Sequence, residues 1–154
     1  MRIKSLIVEN FALISYTEIS FPPAGLVVIT GETGAGKTMI FDALAFVTGG
    51  RAHSTLIKHS APECKVVCEL VDDTGVSHSV SRAYTRSGEN KCYLDGAKIR
   101  VAELGSKFAN AFELTGQNDA TGLFKPANHL YLLDAFRNAG AANDELLSSY
   151  AALH

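Results

Sequence analysis

Gly31-Glu32-Thr33-Gly34-Ala35-Gly36-Lys37-Thr38 fits the pattern G-x-x-x-x-G-K-[ST] of a phosphate-binding loop, the P-loop. Its flanks fit as well. Leu26-Val27-Val28-Ile29-Thr30 before it is apolar and β-branched, which predicts a short strand. Met39 to Val47 after it reads as a helix, and Gly49-Gly50 is a suitable stop. Strand, glycine loop and helix follow in the order that phosphate binding requires. Gly31, Gly34 and Gly36 permit backbone angles closed to other residues and let amides approach an anion with no Cβ between. Those amides and the helix N-terminus favour negative charge. In such a loop Lys37 reaches the β- and γ-phosphate oxygens of a nucleotide, and the Thr38 hydroxyl ligates Mg²⁺. The residues expected to hold the nucleotide are Gly31, Glu32, Thr33, Gly34, Ala35, Gly36, Lys37, Thr38 and Met39.

On the N-terminal side, residues 2–9 read as a first strand and Ile14 to Phe21 as a second, joined through Asn10-Phe11-Ala12. Pro22-Pro23-Ala24-Gly25 is a turn. On the C-terminal side, Arg51-Ala52-His53-Ser54 is a polar loop, and residues 64–72, 77–84 and 90–94 read as three further strands. Asp72-Asp73-Thr74-Gly75 links the first pair, and Asp95-Gly96 is a two-residue hairpin signal, so an antiparallel meander is expected. Val101, Leu104 and Phe108 mark an amphipathic helix. Phe112 to Thr115 is a short strand that delivers Gly116-Gln117-Asn118-Asp119 at its end. Pro126 starts a further helix with Leu130 and Leu133 on one face, and Asn138-Ala139-Gly140 interrupts it. Leu146, Tyr150 and Leu153 begin a last apolar stripe.

Composition narrows the function classes. With 154 residues, 47% of them hydrophobic and 19% charged, the chain is expected to form one globular domain with a real core. A formal net charge of −2 does not suggest a protein that coats nucleic acid, although Lys58, Lys65, Arg82, Arg86, Lys91, Lys98 and Arg100 supply positive charge to the middle section. No apolar run approaches ~20 residues, so no membrane span is expected, and the N-terminus lacks a signal-peptide pattern. Cys64, Cys68 and Cys92 read as buried or half-buried free thiols of a cytoplasmic protein. The five histidines, His53, His59, His78, His129 and His154, form no spaced metal set.

Hydrolysis needs more than a P-loop: a second carboxylate near Mg²⁺ and a group that aligns water. Val66 to Asp73 is apolar and ends in acids, and Asp72-x-x-Gly75 mimics a GTPase pattern. The guanine-reading Asn-Lys-x-Asp is missing, because Asn90-Lys91-Cys92 is followed by Tyr93. Residues 66–73 therefore read as an ordinary strand and turn, and the chain as half of an active site.

Several segments together resemble the RecN family, bacterial DNA double-strand-break repair ATPases of the SMC-like, ABC-type group. They are Ile3 to Ile14, with Asn10-Phe11-Ala12; Thr30 to Thr38 with Asp42-Ala43-Leu44; Gly49-Gly50-Arg51-Ala52; Leu114-Thr115-Gly116-Gln117; and His129 to Asp134. Asn118-Asp119 departs from the family, which often carries His after the Gln. The resemblance implies an α/β P-loop NTPase fold. It would be the N-terminal lobe of an ABC/SMC-type head, part of a RecA-like core plus an antiparallel β subdomain, over 1–137, with the start of a coiled-coil arm at 138–154. It implies ATP and Mg²⁺ as cofactors, with Gln117 at the metal and the attacking water, and Lys37 and Gln117 as the catalytic groups. Arg51 would sense ATP or DNA at a head dimer, and Asn10 would border the nucleotide. Implied partners are the C-terminal lobe of the same head, which carries the signature segment and Walker B acids, a second head in a homodimer, and DNA through phosphate contacts. Implied localisation is the bacterial cytoplasm, at the nucleoid. Two other readings stay open: a small P-loop phosphotransferase, and a nucleotide-binding and dimerisation module without turnover.

Overall fold

The computed structural model describes residues 1–32, 34, 36–108 and 129. The chain divides into two compact units, Met1–Leu114 and Thr115–His154, and the elements below belong to the first. Strands β1 (Arg2–Phe11) and β2 (Ile14–Ser20) are followed by helix α1 (Lys37–Val47) and one 3₁₀ turn at Ser54–Leu56. Strands β3 (Glu63–Val71), β4 (Ser77–Thr85), β5 (Asn90–Leu94) and β6 (Ala97–Lys98) come next, then helix α2 (Val101–Phe108). The strands form a six-stranded antiparallel sheet in the order β2-β1-β3-β4-β5-β6. The expected meander is present, and the first hairpin joins it where β1 pairs with β3.

Alternation sets the face of the sheet that is buried. Leu6 lies opposite Cys68, and Val8 opposite Val66; on the next strand Cys68 faces Val80 and Val66 faces Arg82. All of these are buried. The α1 residues Ile40, Ala43, Leu44, Phe46 and Val47 complete the same core. The Phe11 and Phe46 rings meet at 5.6 Å between centroids, tilted by 59°, which ties the end of β1 to α1. Each large side chain buried here stabilises the fold by about 1.5–3 kcal/mol before entropy is counted. The three cysteines are free and buried, as expected. Burial pushes the Cys68 thiol up to about 12 and raises Cys64 and Cys92 as well, so all three are poor nucleophiles.

The turns follow local chemistry. Asp95 and Gly96 take φ of 51° and 80°, the pair of positive angles that a tight hairpin demands. Asp72 Oδ1 accepts from the Thr74 and Val76 amides, both at 2.9 Å, and from Thr74 Oγ1 at 2.7 Å. Asp72 is thus a turn residue, as its sequence context suggests.

One expected element is missing. Leu26–Thr30 forms no strand, and Leu26, Val27, Val28 and Ile29 are all exposed. A strand needs a neighbour for its amides and carbonyls, and among the described residues none pairs with this segment. The expected elements at 112–115 and from Pro126 onward, and the coiled-coil start at 138–154, lie outside the described residues.

Candidate nucleotide-binding site

The P-loop turns into α1 at Gly36, whose φ of 87° and ψ of 8° place it in the left-handed region. Gly34 is also left-handed, with φ 85°. A Cβ on Gly34 would meet nothing within 4 Å, so backbone angle and not crowding calls for glycine there. The first turn closes with Met39 N–H donating to the Gly36 carbonyl at 3.0 Å. No acidic residue stands in that turn to compete with an anion.

Lys37 folds back over the loop. Its Nζ donates to the Gly31 carbonyl at 2.6 Å and to the Glu32 carbonyl at 2.5 Å. The ammonium therefore stands on the side of the loop where phosphate oxygens would take the place of the two carbonyls. Thr38, next along the helix, is exposed and free to offer its hydroxyl. Glycine backbone, a helix N-terminus and a cation thus stand at one point, a combination that favours an anion.

Two open clefts flank the loop. One, of about 480 Å³, is bounded by Gly36, Lys37 and Ile40 on the helix side, Ile29 and Thr30 below the loop, and the start of β2. The other, of about 580 Å³, lies beside Met39 and is lined by Ala12, Leu13, Ile57, His59 and Arg86 among others. Leu13 borders both and is exposed.

The wall of the larger cleft is built by backbone pairing. Asn10 and Ala12 both have positive φ, 51° and 50°, which bends the chain sharply at the end of β1. The Lys58 amide then donates to the Asn10 carbonyl at 2.9 Å, and the Ala12 amide to the Leu56 carbonyl at 2.7 Å. Lys58 Nζ also donates to Ser15 Oγ. Arg86 holds the far side: its Nε donates to the Ala61 carbonyl at 2.8 Å, and its Nη2 to the Lys58 and His59 carbonyls at 3.0 and 2.8 Å.

The structure thus brings together Gly31, Glu32, Gly34, Gly36, Lys37, Thr38 and Met39. Thr33, Ala35 and Gln117 lie outside the described residues. Asn10 lines neither cleft; it shapes the bend that supports one wall. Arg51 is exposed in the loop after α1 and lines neither cleft. Among the middle-section cations, Arg82 is buried and not a surface charge, which corrects the expectation that it could meet DNA. Arg86 is turned inward onto three carbonyls. The wall segment Ser54–His59 escaped sequence reading, because its contribution is backbone and no motif marks it. Among the described residues no group of three or more His, Cys, Asp or Glu is placed to hold a metal, and no helix is long and apolar enough to cross a membrane.

The family described as AAA domain matches residues 5–125. The DNA repair protein RecN of Bacillus subtilis is 32% identical over 161 residues, covering 94% of this chain and 27% of that protein. RecN of Deinococcus radiodurans is 35% identical over 134 residues, covering 86% of this chain and 24% of that protein. The chain therefore spans about a quarter of the length of these relatives. A crystal structure of the Smc head domain with a coiled coil and joint, from Pyrococcus yayanosii, superposes with a TM-score of 0.72 at 21% identity, over 96% of this chain and 35% of that one. The fold is that of part of an Smc head domain. The chain belongs to the AAA domain family and is similar to RecN proteins over most of its length.

Proposed function

We propose that this chain is the ATP-binding part of an SMC-like ATPase that acts in bacterial DNA double-strand-break repair and recombination. The observation that carries the reading is Lys37, folded onto the Gly31 and Glu32 carbonyls at the head of α1, beside two open clefts. The glycine cradle and this lysine fit a triphosphate, and the larger cleft, mainly apolar, fits the base and ribose. Thr38 and Gln117 would hold Mg²⁺, which when bound screens the phosphate charge. Lys37 binds and orients the terminal phosphates, and Gln117 aligns the attacking water. Arg51 keeps the role that the family resemblance implies, at the head dimer, and Asn10 supports the wall of the larger cleft through its carbonyl.

Turnover belongs to the intact protein, in which the C-terminal lobe supplies the signature segment and the Walker B acids. ATP binding joins two heads as a homodimer and hydrolysis separates them. DNA is met mainly through phosphates, so binding weakens with salt. The protein works in the cytoplasm, at the nucleoid. Similarity to RecN proteins favours this reading over a small phosphotransferase.

The test is Mg-ATP binding and hydrolysis by this chain, with Lys37→Ala as the blank. Binding without turnover is expected, and Lys37→Ala loses most of the affinity because the anion loses its charged donor. Equal affinity in both proteins would remove the site. Turnover by the chain alone would mean that a catalytic carboxylate lies within it, against the half-site reading.

A further inference from the structure

Arg82 is the buried charged residue of the described core, 2% exposed, on the inner face of β4 in phase with Val80. Its Nη1 donates to the Phe46 and Gly50 carbonyls, both at 2.7 Å. Its Nε and Nη2 donate to Asn90 Oδ1 at 3.0 and 2.7 Å. The guanidinium also lies over the Phe46 ring, with Cζ 4.3 Å from the centroid. Burial lowers its affinity for a proton from the ordinary value, yet an arginine stays charged in proteins.

The Phe46 carbonyl lies in the last turn of α1, where helical partners run out and the helix dipole is negative, and the Gly50 carbonyl lies three residues past the helix end. The same end is fixed from a second side. A Cβ on Gly49 would stand 2.5 Å from Gly105 Cα, so α2 packs there with no side chain between. The other end of α1 carries Gly36, Lys37 and Thr38. An 11-residue helix is a rod of about 16 Å. A rod gripped at one end by a planar, charged fork has its axis set, and the aim of the amides at its other end is set with it.

We propose that Arg82, oriented by Asn90, is a positioning residue for the phosphate-binding loop: it sets the direction of α1 from the far end and so aims the loop amides and Lys37. The proposal rests on the nucleotide-binding reading above. Asn90 has its own place fixed by pairing with Tyr84 across β4 and β5. A lysine at 82 would keep the charge but has three donors and no planar fork, so it could not make all four contacts, two of them to Asn90 Oδ1.

The experiment compares three variants of this chain. Arg82→Lys and Asn90→Ala disturb the grip, and Leu70→Ala opens a cavity four residues along β3 from Val66, the partner of Arg82. Each is measured for ATP affinity, for thermal stability and for hydrogen exchange at the Met39 and Phe41 amides. Arg82→Lys is expected to lower ATP affinity roughly tenfold, equivalent to about 1.4 kcal/mol, and to speed exchange at both amides. Asn90→Ala moves both readouts the same way by less. Leu70→Ala lowers stability and leaves both unchanged. Equal losses in Leu70→Ala, or no loss in Arg82→Lys, would overturn the proposal. Should Arg82→Lys fail to fold, Asn90→Ala decides through the same readouts. Should the unaltered chain bind no ATP, the nucleotide reading fails by itself, and exchange at Met39 and Phe41 still decides whether Arg82 orders the loop.

Discussion

Three cations of the described residues, Lys37, Arg82 and Arg86, work on backbone carbonyls. Arg86 is exposed, yet its donors go to the carbonyls of Lys58, His59 and Ala61 and hold the wall of the larger cleft. Removing it should loosen that wall and leave the phosphate loop intact. Arg86→Ala is therefore expected to weaken ATP roughly three- to tenfold, the scale of one ordinary net hydrogen bond, with inorganic tripolyphosphate unaffected. Titration calorimetry with both ligands checks this, and an equal loss for both would place Arg86 at the phosphates. At the other end of the sheet, His78 Nδ1 lies 2.8 Å from Asp95 Oδ2, and its Nε2 lies 3.6 Å from Asp72 Oδ2. The hydrogen bond to Asp95 raises the His78 value above its ordinary 6.5. Hydrogen bonds from Thr74 and the Val76 amide, with His78 adding to them, lower Asp72 from 3.8 to about 2. The signs are opposite. The His78 contribution is complete below the unfolded value and fades as pH rises through the raised one. The Asp72 contribution is complete above its unfolded value and fades as pH falls toward about 2. Melting temperature measured against pH should show both slopes. Asp72→Asn should flatten the acid side, and His78→Gln the side above pH 6.5.

Gly49 and Gly88 both have positive φ, 108° and 89°, but differ in surroundings. A Cβ at Gly88 meets nothing within 4 Å, whereas one at Gly49 would sit 2.5 Å from Gly105 Cα. Gly88→Ala is expected to cost about 1 kcal/mol from backbone strain alone. Gly49→Ala adds a backbone collision between α1 and α2 and should cost about 2–4 kcal/mol. Urea unfolding of the two variants tests the difference, and equal costs would mean that the α1–α2 contact gives way freely. Elements of this kind are legible in the sequence because their signals are local. Asp95-Gly96 states its own turn, Gly49 its own helix stop, and β3 alternates Cys64, Val66, Cys68 and Leu70 inward. The P-loop is legible for the same reason. Arg82 is not, since its partners Phe46 and Gly50 lie 36 and 32 residues away. Its phase does carry a hint: Val80 and Arg82 fall on one face of β4, so a cation stands where an apolar residue is expected. The bend at Asn10 and Ala12 was equally hidden, because an alanine at φ 50° has no sequence signature.

At the scale of the whole molecule, the segment that leads into the P-loop is the unfinished part. Leu26 is 89% exposed and Val28 69%, in a run whose composition asks for a buried strand. Sheets that feed a P-loop are covered on both faces, so such a strand is stable only between neighbours. The reading failed here because composition reports what a segment prefers and not whether a partner is present. Burying each of these side chains is worth about 1.5–3 kcal/mol, a strong drive for something to cover them. The chain spans about a quarter of the length of its RecN relatives, and among the described residues nothing covers this run. Amides 26–30 should therefore exchange quickly in this chain alone and slowly once the unmatched part of a RecN relative is co-expressed with it. Leu26→Lys should leave the six-stranded sheet and its melting unchanged, because the residue contributes nothing to that core, and should abolish the new protection. Protection of these amides in the chain by itself would show that a partner for the strand lies within the chain, and the P-loop would then stand on a complete foundation without a second segment.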